Sequence, residues 1–208
     1  FMCGIVCALN IIQDSSKLRN YVLEMSKKLR HRGPDWNGIY CDDNVILAHE
    51  RLAIVDPKSG KQPLFSKDQR YVLAANGEIY NHKELRLKLT KGQVAKTKSD
   101  SEIIVHLYEE LGVESVHQLD GVFSFVLTDK DKIFAARDPL GVKPMFYGKG
   151  KDGSLWFSSE IKALVSVKDN NGSLEKKFSD PTSAIVNIND LPYGSLLING
   201  VFKEGETL

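Results

Sequence analysis

The strand-like segments of this chain follow one another with few helices between them, and this order constrains the fold more than any other feature. Runs rich in β-branched and aromatic residues occupy residues 4–9, 45–55, 71–80, 121–128, 132–137, 154–158 and 195–201. The link 129–131 between two of these runs is short and polar, which predicts an antiparallel hairpin. Parallel strands would need a long crossover instead. The order therefore predicts an α+β fold with mainly antiparallel sheets rather than alternating βαβ units.

Helical periodicity marks three further segments. The first follows Ser16, a suitable N-terminal cap, and ends near residues 31–35, where glycine and proline stop a helix. The second begins at residue 100 or 101, runs to Leu111 and ends at Gly112. A shorter helix is predicted over residues 82–89.

The composition excludes several classes of protein. The 208 residues carry 28 Lys and Arg against 27 Asp and Glu, so the net charge of +1 gives no field that would attract nucleic acid or an anionic membrane. No apolar run approaches the roughly 20 residues that span a bilayer. The three cysteines, and the lack of a basic and apolar leader in the first ten residues, predict a reducing, cytoplasmic setting.

Two patterns typical of cofactor sites do not have the context that such sites need. Residues 148–153 fit the letters GxGxxG, but a strand-like run follows where a dinucleotide site requires a helix, so a hairpin turn is favoured. The five histidines lack the spacing of metal ligands, so no metal site is predicted. His106, inside the second helix, is interpreted as a surface or packed residue.

Cys3 is a candidate nucleophile because it lies so near the start of the chain. A cysteine at a mature N-terminus carries both a thiol and an α-amine, with ordinary pKa values of about 8.5 and about 7.7–8.0. A neutral amine can accept the thiol proton without a histidine partner. Gly4 has no Cβ and would let a substrate approach the backbone closely. The alternative interpretation of Cys3 is a small buried hydrophobic residue at the start of a strand.

Four other residues have both a structural and a functional interpretation. Strand alternation places Arg51 between small apolar neighbours, where it is either a surface residue or a fork for a carboxylate. Asn76 and Gly77 form either a type I′ turn or an oxyanion hole made of a side-chain amide and a backbone N–H. Asp100 either caps the second helix or faces a substrate ammonium group.

Nine short motifs carry a family resemblance. They are Cys3-Gly4-Ile5-Val6, Arg30-His31-Arg32-Gly33-Pro34-Asp35, His49-Glu50-Arg51-Leu52-Ala53-Ile54-Val55-Asp56, Gln62-Pro63-Leu64, Asn76-Gly77-Glu78-Ile79-Tyr80-Asn81-His82, Ser99-Asp100-Ser101-Glu102, Leu119-Asp120-Gly121, Ala136-Arg137-Asp138-Pro139-Leu140-Gly141-Val142-Lys143-Pro144 and Ser158-Ser159-Glu160-Ile161-Lys162-Ala163-Leu164. In this order they closely resemble the class II glutamine amidotransferase domain of the glutamine-hydrolysing asparagine synthetase family. The resemblance extends from Cys3 to about Gly194.

The resemblance implies both a fold and a reaction. The fold would be the N-terminal-nucleophile (Ntn) hydrolase fold, a four-layer sandwich of two mainly antiparallel sheets flanked by helices. The enzyme would convert L-glutamine and water to L-glutamate and ammonia, with no cofactor for this step. ATP and magnesium would serve only the asparagine-forming synthetase domain of the family.

The resemblance also implies the role of each site residue. Cys3 would attack the side-chain carbonyl of glutamine and form a γ-glutamyl thioester, with its own α-amine as base. The other roles implied are oxyanion binding by Asn76 and Gly77, α-carboxylate binding by Arg51, α-ammonium binding by Glu78 and Asp100, and completion of the pocket by backbone groups of Ile54 and Val55.

Further expectations concern the rest of the protein. Residues 3–208 would form a single amidotransferase domain, and the synthetase domain would be absent from this chain. Phe1 and Met2 precede the cysteine and would block its amine, so we expect Met2 to be the natural start and to be removed. The ammonia would pass to a synthetase domain in cis or in trans, and a homodimer would form through the full-length protein. The segment 167–181 is polar and predicts a long mobile loop.

Two alternatives stay open at this point. One is a catalytically silent relative that binds glutamine or regulates a partner protein. The other is a sister class II amidotransferase that delivers ammonia to a different acceptor.

Overall fold

The computed structural model describes residues 3–11, 14–52, 60–90, 96–129, 132–149 and 154–165, together with 185–187, 197–198 and 201–202. Within these residues the helices are α1 (Ser15–Lys27), α2 (His82–Lys88), α3 (Glu102–Leu111) and α4 (Ile161–Val165), with a 3-10 turn at Gly112–Gln118. The strands are β1 (Gly4–Leu9), β2 (Trp36–Cys41), β3 (Val45–Arg51), β4 (Leu64–Phe65), β5 (Val72–Ile79), β6 (Gly121–Thr128), β7 (Ile133–Arg137), β8 (Phe146–Lys149), β9 (Leu155–Ser158), β10 (Ile185–Asn187), β11 (Leu197–Ile198) and β12 (Val201–Phe202).

The larger strands form two antiparallel sheets. The first has six strands in the order β10-β8-β9-β1-β3-β2, and the second has four in the order β4-β5-β6-β7. The predicted hairpin across residues 129–131 is confirmed, because Thr128 pairs with Ile133. The hairpin predicted from the GxGxxG letters is confirmed as well, since Lys149 pairs with Leu155 in antiparallel register.

Side-chain alternation along the strands produces four layers. One apolar cluster lies between the two sheets and includes Ile5, Cys7, Leu9, Val45, Leu47, Val72, Ala74, Val126 and Phe157. On the outer face of the six-stranded sheet, α1 and α4 pack against the intervening residues of β1 and β3. On the outer face of the four-stranded sheet, α2 and α3 pack against β5, β6 and β7. The predicted α+β sandwich of two antiparallel sheets flanked by helices is therefore confirmed.

Two helix starts differ from the sequence prediction. α1 is capped by Asp14, whose Oδ1 accepts the Ser16 backbone N–H at 3.0 Å, so Ser16 lies inside the helix. A carboxylate is the stronger acceptor for these free amides. α3 begins after Ser101, and Asp100 is not its cap. The Asp100 carboxylate instead accepts the backbone N–H of Ile79 in β5 at 2.7 Å.

Other segments agree with the prediction only in part. Gly112 ends α3 with a positive φ of 62°, a conformation that glycine adopts without strain, as predicted. The strand predicted over 195–201 consists of the short pair β11 and β12. The predicted mobile loop at 167–181 lies outside the described residues. In the described part of the chain, no helix has the length and apolar character needed to cross a membrane.

Candidate active site

Cys3 lies immediately before β1, a central strand of the six-stranded sheet, and several contacts fix its backbone. The Arg32 Nε donates a hydrogen bond to the Cys3 carbonyl oxygen at 2.9 Å. Two residues further on, Ile5 and Ser159 exchange hydrogen bonds, since the Ile5 N–H donates to Ser159 Oγ and the Ser159 N–H donates to the Ile5 carbonyl, each at 3.0 Å. The start of β1 is therefore held on both sides.

The Cys3 thiol is partly buried and contacts the backbone that follows β3. Its Sγ lies 3.4 Å from the Leu52 nitrogen and 3.7 Å from the Leu52 carbonyl oxygen. Burial raises the pKa of the Cys3 thiol, and this effect outweighs the lowering by the Leu52 backbone and by the positive charge of Arg51. The negative charge of Asp100 raises this pKa further. The resting site therefore holds a neutral thiol, and forming the thiolate requires a proton acceptor.

Glu160 holds the arginine that contacts Cys3. Arg32 is buried and its Nη1 donates to Glu160 Oε1 at 2.7 Å, while His31 and Lys162 approach the same carboxylate at 3.0 and 2.8 Å. Burial alone raises the pKa of Glu160, but the hydrogen bonds from these three side chains outweigh it and lower the pKa to about 2. The carboxylate is therefore ionised at neutral pH, and it orients Arg32 toward the Cys3 carbonyl.

Asn76 and Gly77 are internal residues of β5, so the interpretation as a type I′ turn is wrong. They pair with Ser124 and Phe123 of β6, and this continuous pairing prevents the chain from turning. A Cβ at Gly77 would lie 2.3 Å from the Val122 carbonyl oxygen, so only glycine lets the two strands approach here. The Asn76 side chain is fully buried, and within the described structure neither its nitrogen nor its oxygen has a hydrogen-bond partner.

The residue before Asn76 is held by two side chains from other elements. Gln62 donates its Nε2 hydrogen to the Ala75 carbonyl at 3.0 Å, and its Oε1 accepts the Ala75 N–H at 2.7 Å. His49 Nε2 lies 2.9 Å from the same carbonyl oxygen. Burial lowers the pKa of His49 to about 4, so its imidazole is neutral, and Nε2 carries the proton that it donates to Ala75. Gln62 and His49 thus fix the position of Asn76 along β5.

One cleft brings together most of the residues singled out in the sequence. Its lining residues are Cys3, Arg51, Leu52, Gly60, Gln62, Ala75, Asn76, Gly77, Glu78, Ser99, Asp100, Ser101 and Lys143. Arg51, at the end of β3, and Asp100, just before α3, are both buried and place opposite charges in the wall of this cleft. Ile54 and Val55 lie outside the described residues.

The sequence did not identify every residue that lines the cleft. Gln62 and Lys143 belong to the quoted motifs but were given no role there. Lys143 is placed by Asp138, whose carboxylate accepts the Lys143 N–H at 3.0 Å and the Phe123 N–H at 3.2 Å. The Asp-Pro-Leu-Gly sequence that follows β7, a turn-rich segment with an acceptor at its start, is the signal that could have indicated this loop.

Gly4 has a structural role rather than the predicted substrate-facing role. A Cβ at Gly4 would lie 2.8 Å from Leu29 Cβ and 3.2 Å from Leu29 Cδ1, so the space beside its backbone is already filled by the segment after α1. The glycine allows this close packing. His106 is packed, as one of the two interpretations predicted, with its ring between Glu102 and Glu109. No group of three or more His, Cys, Asp or Glu side chains among the described residues could hold a metal ion.

Comparison with known proteins identifies the class to which this fold and cleft belong. A family model described as glutamine amidotransferase domain matches residues 2–200. Among solved structures, glutamine phosphoribosylpyrophosphate (PRPP) amidotransferase from B. subtilis, complexed with ADP and GMP, superimposes with a TM-score of 0.69. It is 19% identical in sequence, over 96% of this chain and 48% of that one. The chain is thus a class II glutamine amidotransferase domain with the Ntn-hydrolase fold.

Within that class, the sequence is similar to asparagine synthetases. The asparagine synthetase [glutamine-hydrolyzing] of Zea mays is 45% identical over 98% of this chain and 37% of the relative. Asparagine synthetase [glutamine-hydrolyzing] 2 of Arabidopsis thaliana is 54% identical over 78% of this chain and 28% of the relative. This chain belongs to the glutamine amidotransferase domain family and is homologous to asparagine synthetases. It spans 37% and 28% of the length of these two curated relatives.

Proposed function

We propose that this domain hydrolyses the side-chain amide of L-glutamine to L-glutamate and ammonia, with Cys3 as the nucleophile. The observation that carries the proposal is the buried side-chain amide of Asn76, which has no hydrogen-bond partner among the described residues and lines the same cleft as the Cys3 thiol. Leaving such a polar group unpaired costs about 1–3 kcal/mol. A tetrahedral oxyanion formed at the cysteine would accept a hydrogen bond from it and recover that cost.

The first half of the reaction forms a thioester. The α-amine of Cys3 accepts the thiol proton, and the sulfur bonds to the carbonyl carbon of the glutamine side chain. The negative charge that develops on the carbonyl oxygen is stabilised by the Asn76 side chain and the Gly77 backbone N–H. The carbon–nitrogen bond then breaks as the protonated amine returns its proton to the departing nitrogen, which leaves as ammonia.

The second half restores the enzyme. Water attacks the thioester and gives one proton to the α-amine, and the same two donors stabilise the second oxyanion. The carbon–sulfur bond then breaks, the sulfur recovers its proton, and glutamate is released. Because burial raises the pKa of the Cys3 thiol, the base is essential to this scheme. The scheme therefore requires that Phe1 and Met2 are removed, since an acylated α-nitrogen cannot accept a proton.

Charged groups in the cleft explain the preference for free glutamine. We assign the α-carboxylate to Arg51, whose guanidinium can bind it with two parallel hydrogen bonds. We assign the α-ammonium group to Asp100 and Glu78. A glutamine residue inside a peptide has neither charged end, and it would leave the buried Arg51 and Asp100 without their ligand.

The test compares matched variants of the chain that begins at Cys3, with Phe1 and Met2 removed. We expect the parent to release glutamate from L-glutamine and Cys3→Ala to be inactive. Asn76→Ala should lower kcat by about 10²–10³ with little change in KM, because the donor acts only in the transition state. Asn20→Ala, at an exposed position of α1, is the control and should match the parent. Equal turnover by the parent and Cys3→Ala would reject this proposal and favour a catalytically silent relative.

The base is tested separately by retaining the two preceding residues. A chain that still begins Phe1-Met2 should bind glutamine but show no turnover. Full activity in that chain would refute the role of the α-amine while leaving Cys3 as a candidate nucleophile.

We also propose how the ammonia is used, on the basis of the two asparagine synthetase relatives. Both are named asparagine synthetases, and this chain spans about a third of their length. An ATP- and magnesium-dependent synthetase domain, in the same polypeptide or in a partner, would combine the ammonia with aspartate. The glutaminase step itself needs no cofactor. We propose a cytoplasmic location because all three cysteines are free thiols.

A further inference from the structure

The segment 96–99 lies directly before three residues of the cleft wall. Ser99, Asp100 and Ser101 all line the cleft, and α3 begins immediately after them. The Asp100 carboxylate accepts the backbone N–H of Ile79 from β5, which fixes one of its two oxygens. The position of Asp100 therefore depends on how the backbone of 96–99 enters α3.

Glu102 holds this segment through its carboxylate. Its Oε1 accepts the Lys96 N–H at 2.7 Å, and its Oε2 accepts the Thr97 N–H at 2.8 Å and the Thr97 hydroxyl at 2.7 Å. The Thr97 hydroxyl oxygen in turn accepts the Ser99 N–H at 3.1 Å. The Glu102 side chain is only 2% exposed, so these bonds are shielded from water.

Arg86 of α2 holds the same segment through its carbonyl groups. Its Nη1 donates to the Thr97 carbonyl at 3.1 Å and its Nη2 donates to the Ser99 carbonyl. The same Nη2 lies 3.8 Å from Glu102 Oε2. Two buried or partly buried charges of opposite sign therefore fix the amide and the carbonyl groups of one short segment.

The Glu102 carboxylate is ionised at neutral pH. Burial raises the pKa of Glu102, but the neighbouring His106 at 3.6 Å and the donors of residues 96 and 97 outweigh it and lower the pKa to about 2. The Glu102 carboxylate has no role in the proposed reaction. Glu102 is also not among the residues that line the cleft with Cys3.

We infer that Glu102 is a positioning residue that sets selectivity for the substrate's α-ammonium group, because it fixes segment 96–99 and thereby the Asp100 carboxylate. The inference rests on the proposed glutaminase function. It assigns to Glu102 an effect on ground-state recognition of one end of the substrate, and no effect on the thioester chemistry at the other end.

The test uses glutamine and glutaramate, which is glutamine without its α-ammonium group. In Glu102→Gln the amide nitrogen replaces one acceptor oxygen and faces a backbone N–H, so segment 96–99 loses hydrogen bonds to a charged acceptor. We expect the KM for glutamine to rise about tenfold or more, with kcat within about twofold of the parent. The inhibition constant of glutaramate against glutamine hydrolysis should stay unchanged, because it makes no contact with Asp100.

Two further variants keep the result interpretable. Thr97→Val removes only the hydroxyl bonds and should give a smaller shift in the same direction, even if Glu102→Gln does not fold. Glu109→Gln removes a carboxylate that also contacts His106, on the same helix, and should leave the glutamine KM unchanged. Equal loss of affinity for glutamine and glutaramate, or an unchanged glutamine KM in Thr97→Val, would overturn the inference. A parent chain with no glutaminase activity would instead overturn the proposed function on which the inference rests.

Discussion

Mild acid should destabilise this domain through His49, a fully buried histidine between the two sheets. Burial, and to a smaller extent the charge of Arg51, lowers the pKa of His49 from 6.5 to about 4. The unfolded chain takes up this proton near pH 6.5, whereas the folded chain takes it up only near pH 4. Protonation therefore favours unfolding, and stability is fully present above pH 6.5 and is lost as the pH falls toward 4.

The size of the effect follows from the two pKa values. Each unit of difference corresponds to about 1.4 kcal/mol, so the gap between 6.5 and about 4 corresponds to about 3 kcal/mol when both states are protonated. Between pH 7 and pH 5 the contribution of His49 is about 2 kcal/mol, because the folded state is still largely unprotonated at pH 5. The free energy of unfolding of a typical domain is only about 5–15 kcal/mol, so a loss of this size is measurable.

The assay is urea unfolding at pH 7, 6 and 5, followed by the fluorescence of the buried Trp156. His49→Gln keeps a donor for the Ala75 carbonyl but cannot titrate, so its stability should fall by about 2 kcal/mol less than that of the parent over this range. His117→Gln, at an exposed position, is the control and should follow the parent. Parallel stability curves for the parent and His49→Gln would refute the argument.

Two other predictions concern backbone spacing and charge. Gly77→Ala places a Cβ 2.3 Å from the Val122 carbonyl oxygen, so we expect it to reduce the free energy of unfolding by about 1–3 kcal/mol or more, and an unchanged urea midpoint would contradict this. The pKa of Glu160 is lowered from 4.5 to about 2, so its stabilisation is present above pH 4.5 and is lost as the pH falls toward 2. Stability should therefore fall less steeply between pH 4.5 and pH 3 in Glu160→Gln than in the parent, and identical slopes would contradict the assignment.

The sequence predicts the faces of β3 well, because strand alternation depends only on local geometry. His49 points to the region between the sheets and contacts Ala75 of β5, whereas Glu50 points the other way and its Oε1 accepts the Ser26 hydroxyl of α1 at 2.7 Å. Strand alternation also puts Arg51 on the same face of β3 as His49, and Arg51 lines the cleft. At these positions, residue type and spacing are sufficient to predict which face of the strand each side chain occupies.

The predictions made from the sequence fail where a contact joins residues that are far apart along the chain. Asn76 and Gly77 have the composition of a tight turn, but pairing with β6 outweighs that local preference. The bonds from Gln62 and His49 to Ala75 span 13 and 26 residues, and no local pattern indicates them. Gly4 faces Leu29 for the same reason, since the packing of the segment after α1 against the start of β1 is a tertiary contact.

The proposed nucleophile and the proposed oxyanion donors lie on different sheets, because Cys3 precedes β1 whereas Asn76 and Gly77 are in β5. The apolar side chains between the two sheets therefore set the distance between the Cys3 sulfur and the Asn76 amide. Removing a methyl group from Val72 or Ile5, both buried between the sheets, would let that distance change by a fraction of an ångström. Packing in the core between the sheets is therefore expected to affect turnover as well as stability.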